Sequence, residues 1–197
     1  MKRLRLILWA LVAVVAVAAG VLLLTHRSST GSSGSTTAKT HFGGAFTLTG
    51  GDGKLFSSQS LEGKPYAIYF GFTRCGDVCP TTLSRLVKLR RAAGPEKALN
   101  IVFVTIDPAN DRPKEVGQYA ELFGSPIIGL TGSQAQIDQV KKQYGIFAQP
   151  MPHAAMGKQF EHTATVLLFD RGGEFVGTIT PTEPDDSAIA SMKALIG

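Results

Sequence analysis

Apolar runs, separated by polar or amphipathic stretches, recur along residues 41–197. A short apolar run bounded by turn residues is typical of a strand that is buried on both faces. Near the start of this region, the stretch 46–56 instead predicts two short strands around a Gly/Asp turn. Near its end, two runs on either side of the turn "RGG" predict a hairpin. The predicted buried strands are "YAIYFGF" (66–72), "NIVFVTID" (100–107) and "IIGLTG" (127–132), and the hairpin strands are "TATVLLFD" (163–170) and "EFVGTIT" (174–180).

The stretches between these runs carry apolar residues at helical spacing. Leu83, Leu86 and Val87 give one apolar face to a helix that follows residue 79. Strands that alternate with helices, followed by a hairpin and a last helix, predict an α/β domain with a central mixed sheet flanked by helices. The other predicted helices are 113–124, which starts at a proline and ends at a glycine, 133–145, and 184–196, which is capped by an aspartate.

Residues 6–24, "LILWALVAVVAVAAGVLLL", form a run of nineteen residues without a charge. A helix needs about 20 apolar residues to cross a bilayer, whereas the apolar part of a cleaved signal peptide usually has only about 7–15. Basic residues are more frequent before this run than after it, so the N-terminus is predicted to be cytoplasmic. We therefore predict that residues 1–27 are a single-pass anchor in the plasma (inner) membrane, with everything after them on the extracytoplasmic, periplasmic side.

The stretch 28–40, "SSTGSSGSTTAKT", has the composition of a flexible Gly/Ser linker. Residues 41–197 then form one domain, which is long enough to bury a core. The chain has a formal net charge of +5, but residues 41–197 carry fifteen basic and fifteen acidic side chains. The excess of positive charge belongs to the first 40 residues, so a nucleic-acid partner is not predicted.

The two cysteines of the chain, Cys75 and Cys79, lie in "TRCGDVCPTT" (73–82). They come between a predicted buried strand and a predicted helix, where ligand sites of α/β sheets collect and where helix amides lower the pKa of a thiol. A purely structural disulfide fits this spacing poorly, because a bridge over four residues closes a very small loop and removes little entropy from the unfolded chain. A redox-active pair and a pair of metal ligands remain as interpretations.

A metal site needs a third ligand, and His162 is the best placed candidate. It lies in "FEHTATVLLFD", immediately before a predicted buried strand. Two thiolates and one imidazole select Cu(I) by ligand softness, and they also suit zinc. Met151, His153 and Met156, in "MPHAAM", are further sulfur and nitrogen donors, for which an auxiliary copper site is a weaker hypothesis.

Three segments carry a resemblance to a known family. "YFGFTRCGDVCPTTL", "VTIDPANDRP" and "FEHTATVLLFD", in this order, resemble the Sco/SenC family. Its members are membrane-anchored, thioredoxin-like proteins that bind copper and help to assemble the copper site of cytochrome c oxidase. The resemblance spans roughly residues 41–197. It implies a thioredoxin-like fold and a site for copper, as Cu(I), Cu(II) or both, with Cys75, Cys79 and His162 as the metal ligands.

The resemblance also implies a function and partners. It implies a metallochaperone that meets the copper-receiving subunit of cytochrome c oxidase and other copper chaperones. The chain nevertheless departs from the usual family pattern at four positions, none of which is a ligand. These are Gly76 in place of proline, Asn110 in place of arginine, Arg112 in place of threonine and Glu161 in place of aspartate.

A second function on the same fold stays open. An extracytoplasmic thiol–disulfide oxidoreductase would use Cys75 and Cys79 as its redox couple, and a fold alone does not separate the two activities. Thioredoxin-type enzymes have two residues between their cysteines, whereas this chain has three. Redox exchange also has no need of His162. Both features favour a metal site.

Overall fold

The computed structural model describes residues 42–151 and 159–197. The predicted anchor at 6–24 and the predicted linker at 28–40 lie outside the described residues, and so do His153 and Met156. Among the residues that the structure describes, no helix has both the length and the apolar character needed to span a bilayer. The predicted limits of the anchor, the linker and the domain stay predictions.

The described residues form nine strands and four α-helices, numbered here β1–β9 and α1–α4 in chain order. The strands are β1 (Thr47–Gly50), β2 (Leu55–Ser57), β3 (Tyr66–Gly71), β4 (Asn100–Thr105), β5 (Ile128–Thr131), β6 (Ala148–Met151), β7 (Gln159–His162), β8 (Val166–Phe169) and β9 (Phe175–Ile179). The helices are α1 (Val78–Ala93), α2 (Pro113–Glu121), α3 (Gln134–Gln143) and α4 (Asp185–Ile196).

Seven of the described strands form one mixed sheet in the order β2-β1-β5-β4-β3-β8-β9. The three central strands β5, β4 and β3 are parallel, whereas β1, β2, β8 and β9 pair in antiparallel fashion. All six residues of β3 are buried, as expected for a central strand that is covered on both faces. The mixed central sheet predicted from the alternation of strands and helices is confirmed.

A buried aromatic cluster holds β3 to the neighbouring elements. The rings of Tyr66 and Phe169 stack with their centroids 4.8 Å apart across the β3–β8 pair. Tyr144, just after α3, packs on Phe70 and Phe169 with centroid distances of 5.7 and 5.5 Å. Because aromatic side chains bury large areas, this cluster fixes the strand that leads to the two cysteines.

The helix boundaries differ from the prediction in three helices, and α3, predicted as 133–145, runs only from Gln134 to Gln143. Helix α2 ends at Glu121, and Gly124 follows it with a φ of 57°. Helix α4 has Pro184 rather than an aspartate at its N-cap, so the predicted aspartate cap is wrong. Asp185 and Asp186 lie instead in the first helical turn, where a carboxylate is favoured by the helix dipole.

The sequence did not predict the hairpin of β6 and β7, which form a separate two-stranded antiparallel sheet. Pro150 lies inside β6, and a proline argues against a strand in a sequence-based prediction because it cannot donate to the ladder. His162 was predicted to precede a buried strand directly. It is instead the last residue of β7, and the buried strand β8 begins at Val166. The histidine therefore belongs to the added hairpin.

The same substitution, tyrosine to phenylalanine, should affect stability differently at two buried tyrosines. Among the described residues, the Tyr119 hydroxyl is buried without a hydrogen-bond partner, whereas the Tyr144 hydroxyl donates to the Gly44 carbonyl over 3.0 Å. We expect Tyr119→Phe to leave the free energy of unfolding unchanged or raised, and Tyr144→Phe to lower it by about 1 kcal/mol. Urea unfolding of the two variants measures both values. A loss in Tyr119→Phe as large as that in Tyr144→Phe would contradict the assignment.

Candidate metal centre

The two cysteines lie where β3 passes into α1. Cys75 is in the connecting loop and is half-buried, and Cys79 is the second residue of α1 and is fully buried. The backbone N–H of Cys79 donates to the Cys75 sulfur over 3.4 Å. The start of the helix therefore directs one of its unpaired amides at the first thiol. Both cysteines are free thiols in this structure.

Gly71, the last residue of β3, makes room for the sulfur of Cys79. A β-carbon at this position would lie 2.8 Å from the Cys79 Sγ and 3.1 Å from both the Tyr69 and the Phe103 ring. These distances are below normal contact, so a larger residue would displace the sulfur or the strand. The sequence contains a sign of this contact, because an isolated glycine inside a run of bulky strand residues often marks a place where another group approaches the backbone closely.

The β6–β7 hairpin brings His162 to the cysteines. The Thr163 amide donates to the Phe147 carbonyl over 3.0 Å, and the Phe147 amide donates to the Thr163 hydroxyl over 3.2 Å, so the base of the hairpin is closed beside the histidine. Phe160, two residues before His162 on the same strand, packs on Phe72 with a centroid distance of 5.2 Å. The imidazole ring itself lies against Phe72 and Tyr69 at 6.0 and 6.2 Å.

One hydrogen bond decides the tautomer of His162. Its Nδ1 lies 3.1 Å from the Thr163 carbonyl oxygen, and a carbonyl only accepts, so Nδ1 carries the proton. In the neutral ring the lone pair is then on Nε2, which lies 3.6 Å from the Cys79 Sγ. A metal-binding histidine usually donates its other ring N–H in this manner.

The sulfurs of Cys75 and Cys79 and a ring nitrogen of His162 all lie within 4.8 Å of one another. Atoms bound to one ion at about 2.0–2.3 Å lie no more than about 4.6 Å apart, so a shift of a few tenths of an ångström closes this set on a single ion. Two sulfurs and one imidazole are a soft donor set that suits Cu(I) or zinc. The three residues that the sequence singled out are thus brought together.

Burial controls the charge of the centre. It raises the pKa of the Cys79 thiol to about 12, although the hydroxyl of Tyr69 and the backbone of Phe72 act in the opposite direction. The expected lowering of the thiol pKa by the helix start is therefore wrong for Cys79. Burial also lowers the pKa of His162, with its bond to Thr163 opposing the change. Near neutral pH, the Cys79 thiol and the His162 ring are both uncharged, and a metal must displace the thiol proton.

Tyr69 is a buried neighbour of the centre that the sequence did not single out. Its hydroxyl donates to the Cys79 sulfur over 3.5 Å. Burial raises the pKa of Tyr69, and the Thr82 side chain, which hydrogen-bonds to the phenol, acts in the opposite direction.

A buried carboxylate holds the loop before Cys75. Asp111 accepts hydrogen bonds from the Thr73 amide at 2.9 Å, from the Thr73 hydroxyl at 2.6 Å and from the Thr105 hydroxyl at 2.6 Å. Its own carbonyl accepts from the Thr131 hydroxyl at 2.7 Å. The ends of β3, β4 and β5 are thereby tied together two residues before the first cysteine. Sequence reasoning missed this residue, because an aspartate in a loop is usually exposed.

The departures from the family pattern lie around the centre, outside its donor atoms. Gly76 and Arg112 are exposed, and so is Glu161, next to His162. The Asn110 amide donates to Asp107 over 2.7 Å inside its own loop. Met151 lies at the far end of β6, with half of its side chain exposed, and the auxiliary copper site stays a hypothesis because its other members lie outside the described residues.

Comparison with known proteins decides the family. The family model described as SCO1/SenC matches residues 34–197, which is most of the chain. The chain belongs to the SCO1/SenC family. This confirms the resemblance that its cysteine and histidine motifs carry.

Solved structures agree with this SCO1/SenC assignment. The copper-bound ScoI of Bradyrhizobium japonicum is 35% identical, with a TM-score of 0.71, and the match covers 78% of this chain and 99% of that one. Copper-bound yeast Sco1 is 29% identical, with a TM-score of 0.69, and the match covers 77% of this chain and 86% of that one. The thioredoxin-like fold expected from the sequence is confirmed.

Curated relatives include longer proteins. The SCO2-like protein RC0895 of Rickettsia conorii is 33% identical over 137 residues, which are 68% of this chain and 67% of that protein. The mitochondrial protein SCO2 of Saccharomyces cerevisiae is 30% identical over 158 residues, which are 78% of this chain and 52% of that protein. The chain thus spans about half the length of the yeast relative.

The close approach at Gly71 gives a test of the centre. We expect Gly71→Ala to lower the free energy of unfolding by about 1–3 kcal/mol, because the new methyl group overpacks the site of the Cys79 sulfur. Gly177→Ala is the matched control, since a β-carbon at that strand glycine meets no atom within 4 Å. Urea unfolding and the rate of Cys79 alkylation check the result. Equal stabilities of the two variants would show that the sulfur does not need this space.

Proposed function

We propose that this SCO1/SenC protein binds copper and delivers it to, or prepares the thiols of, the copper site of cytochrome c oxidase during assembly. The observation that carries the proposal is the convergence of Cys75, Cys79 and His162 within 4.8 Å. Two relatives whose structures contain copper, at 35% and 29% identity, support copper as the metal. Copper is then the cargo of the protein rather than a resident cofactor.

The donor set favours copper over harder ions. Thiolates and imidazole select Cu(I), and among divalent ions the usual order of affinity places copper above zinc. Both cysteines bind as thiolates, so loss of two protons leaves one negative charge at the centre with Cu(I) and none with Cu(II). The preference for Cu(I) therefore rests on ligand softness rather than on charge balance.

The unequal burial of the ligands suggests an order of transfer. Cys75 is half-buried, whereas Cys79 is fully buried between β3 and α1. A ligand from a partner can reach the ion beside the half-buried Cys75 and His162 first, and Cys79 holds the ion until that exchange is complete. In the reverse direction, an incoming ion meets Cys75 and His162 before the buried Cys79.

The membrane attachment belongs to the same proposal. An anchor at residues 6–24 and a linker at 28–40 would keep the domain on the extracytoplasmic, periplasmic face of the plasma (inner) membrane. Their support is the uncharged run and the Gly/Ser composition of those residues. The copper-receiving subunit of cytochrome c oxidase, and copper chaperones that load the centre, are the partners proposed there.

Thiol–disulfide exchange is the second candidate, and the free thiols at a helix start favour it. The half-buried Cys75 would attack a partner disulfide as a thiolate and release one partner thiol. Cys79 would then displace the second partner thiol, so that the partner gains two electrons and Cys75 and Cys79 form a disulfide. This activity would also prepare a partner's thiols for copper.

His162→Ala separates the two functions. We expect the variant to lose copper affinity by at least about tenfold, because one of three ligands is removed and even the loss of a hydrogen-bond partner of a ligand costs about 10–100-fold. Reduction of a model disulfide should persist, since it depends on the two thiols. Competition with a chelator and a disulfide-reduction assay measure the two activities on one sample.

Glu161→Ala is the control for this experiment, because Glu161 is adjacent on β7 and its side chain is exposed. It should retain both activities. Copper affinity in His162→Ala equal to that of the unmodified protein would remove the histidine from the site. Circular dichroism of each variant establishes that the fold is intact.

The raised pKa of Cys79, at about 12, predicts a pH dependence of copper binding. Below that pKa the free protein holds the thiol proton, and binding must release it. The apparent Cu(I) affinity should therefore rise with pH, by about tenfold per pH unit for each proton released. Competition titrations between about pH 6 and 8, corrected for protonation of the chelator, measure the slope. An affinity that does not change over this range would mean that Cys79 is already a thiolate or is not a ligand.

A further inference from the structure

Tyr69 lies beside two ligands of the centre, the buried Cys79 and the half-buried His162. Its side chain is fully buried on β3, and its ring lies 6.2 Å from the imidazole of His162 and 6.4 Å from Phe103. Its hydroxyl lies 3.5 Å from the Cys79 sulfur. Packing on both sides therefore holds the phenol in place, and the proposed function so far gives it no role.

The direction of the hydrogen bond follows from the partners of the phenol. The Thr82 side chain, one turn into α1, hydrogen-bonds to the same phenol. A phenol has one hydroxyl proton to donate, and the Tyr69 hydroxyl donates it to the Cys79 sulfur. Once a metal has replaced the thiol proton, the sulfur has only lone pairs to offer. The bond must then run from Tyr69 to Cys79.

A hydrogen-bond donor to a metal-bound sulfur changes how strongly that sulfur donates electrons to the metal. A hydrogen bond withdraws electron density from the thiolate, so the sulfur donates less to the ion. Cu(II) gains more than Cu(I) from such donation, because it carries the higher charge and accepts electrons from sulfur. Hydrogen bonding around a cysteine sulfur is a known control of redox potential at copper and iron–sulfur centres.

We propose that Tyr69 is a positioning residue that sets the oxidation state in which the centre holds copper. Its hydroxyl donates to the Cys79 sulfur and thereby favours Cu(I) over Cu(II). The inference rests on the proposed function, since it takes Cys79 as a copper ligand. Thr82 holds the phenol in the orientation that aims its proton at the sulfur.

Tyr69→Phe tests the proposal by removing one oxygen and keeping the packed ring. A hydrogen bond to a charged group contributes enough for the ratio of Cu(I) to Cu(II) affinity to fall about tenfold, which is about 59 mV for a one-electron couple. The sulfur-to-Cu(II) charge-transfer absorption should also move to longer wavelength, because the thiolate becomes the stronger donor. Chelator competition for each ion and the absorption spectrum provide the two measurements.

Tyr144→Phe is the matched control. It removes a buried hydroxyl that donates to the Gly44 carbonyl over 3.0 Å, away from the cysteines. We expect its spectrum and its affinity ratio to equal those of the unmodified protein. A purely structural role for Tyr69 would make the two variants alike in both measurements, and this result would overturn the proposal.

Two further measurements test the proposal if Tyr69→Phe does not fold or if copper does not bind. If Tyr69→Phe does not fold, Thr82→Val keeps the phenol and removes the group that orients it. It should then move the absorption band in the same direction by a smaller amount, and an unmoved band counts against the proposal. In metal-free reduced protein, the Cys79 Cβ chemical shift should change in Tyr69→Phe and stay constant in Tyr144→Phe. Failure of the unmodified protein to bind copper would overturn the proposed function, while this shift would still test the hydrogen bond.

Discussion

The sulfur of Cys79 lies against the backbone of β3 at a place where glycine alone leaves room for it. This contact excludes water from the thiol, and the exclusion keeps the thiol protonated. It also places the sulfur beside the Tyr69 hydroxyl and the Nε2 of His162. The position of the Cys79 sulfur, and with it the charge and the polar partners of this residue, therefore depends on the space that Gly71 leaves.

The two ligand-bearing segments are held by different kinds of interaction. The Cys75 loop is fixed by hydrogen bonds to the buried Asp111, which joins three strand ends. His162 is fixed by aromatic packing on Phe72 and by one bond to a backbone carbonyl. Loss of a polar partner would therefore disturb the Cys75 loop, whereas loss of a packed ring would disturb His162.

The central strands could be predicted from the sequence, because strands covered on both faces need continuous apolar runs. The sequence also singled out Cys75, Cys79 and His162, which the structure brings within 4.8 Å of one another, since their residue types and motifs are local. The β6–β7 hairpin could not, because it is short, contains Pro150 and contacts the sheet through side chains that are distant in sequence. The pKa of Cys79 and the burial of Asp111 were missed for a related reason. Both depend on tertiary packing, which local patterns do not encode.

The β6–β7 hairpin is hydrogen-bonded as a sheet of its own, apart from the seven-stranded sheet. It can open locally without breaking the main ladder, so its stability is a separate quantity from that of the domain. An ion shared between α1 and His162 would act as a cross-link over 83 residues of chain. By mass action, a ligand at a thousandfold excess over its dissociation constant adds about 4 kcal/mol to the folded form. Bound copper would then slow amide hydrogen exchange within the hairpin, and the exchange rate would report the fraction of the protein that holds copper.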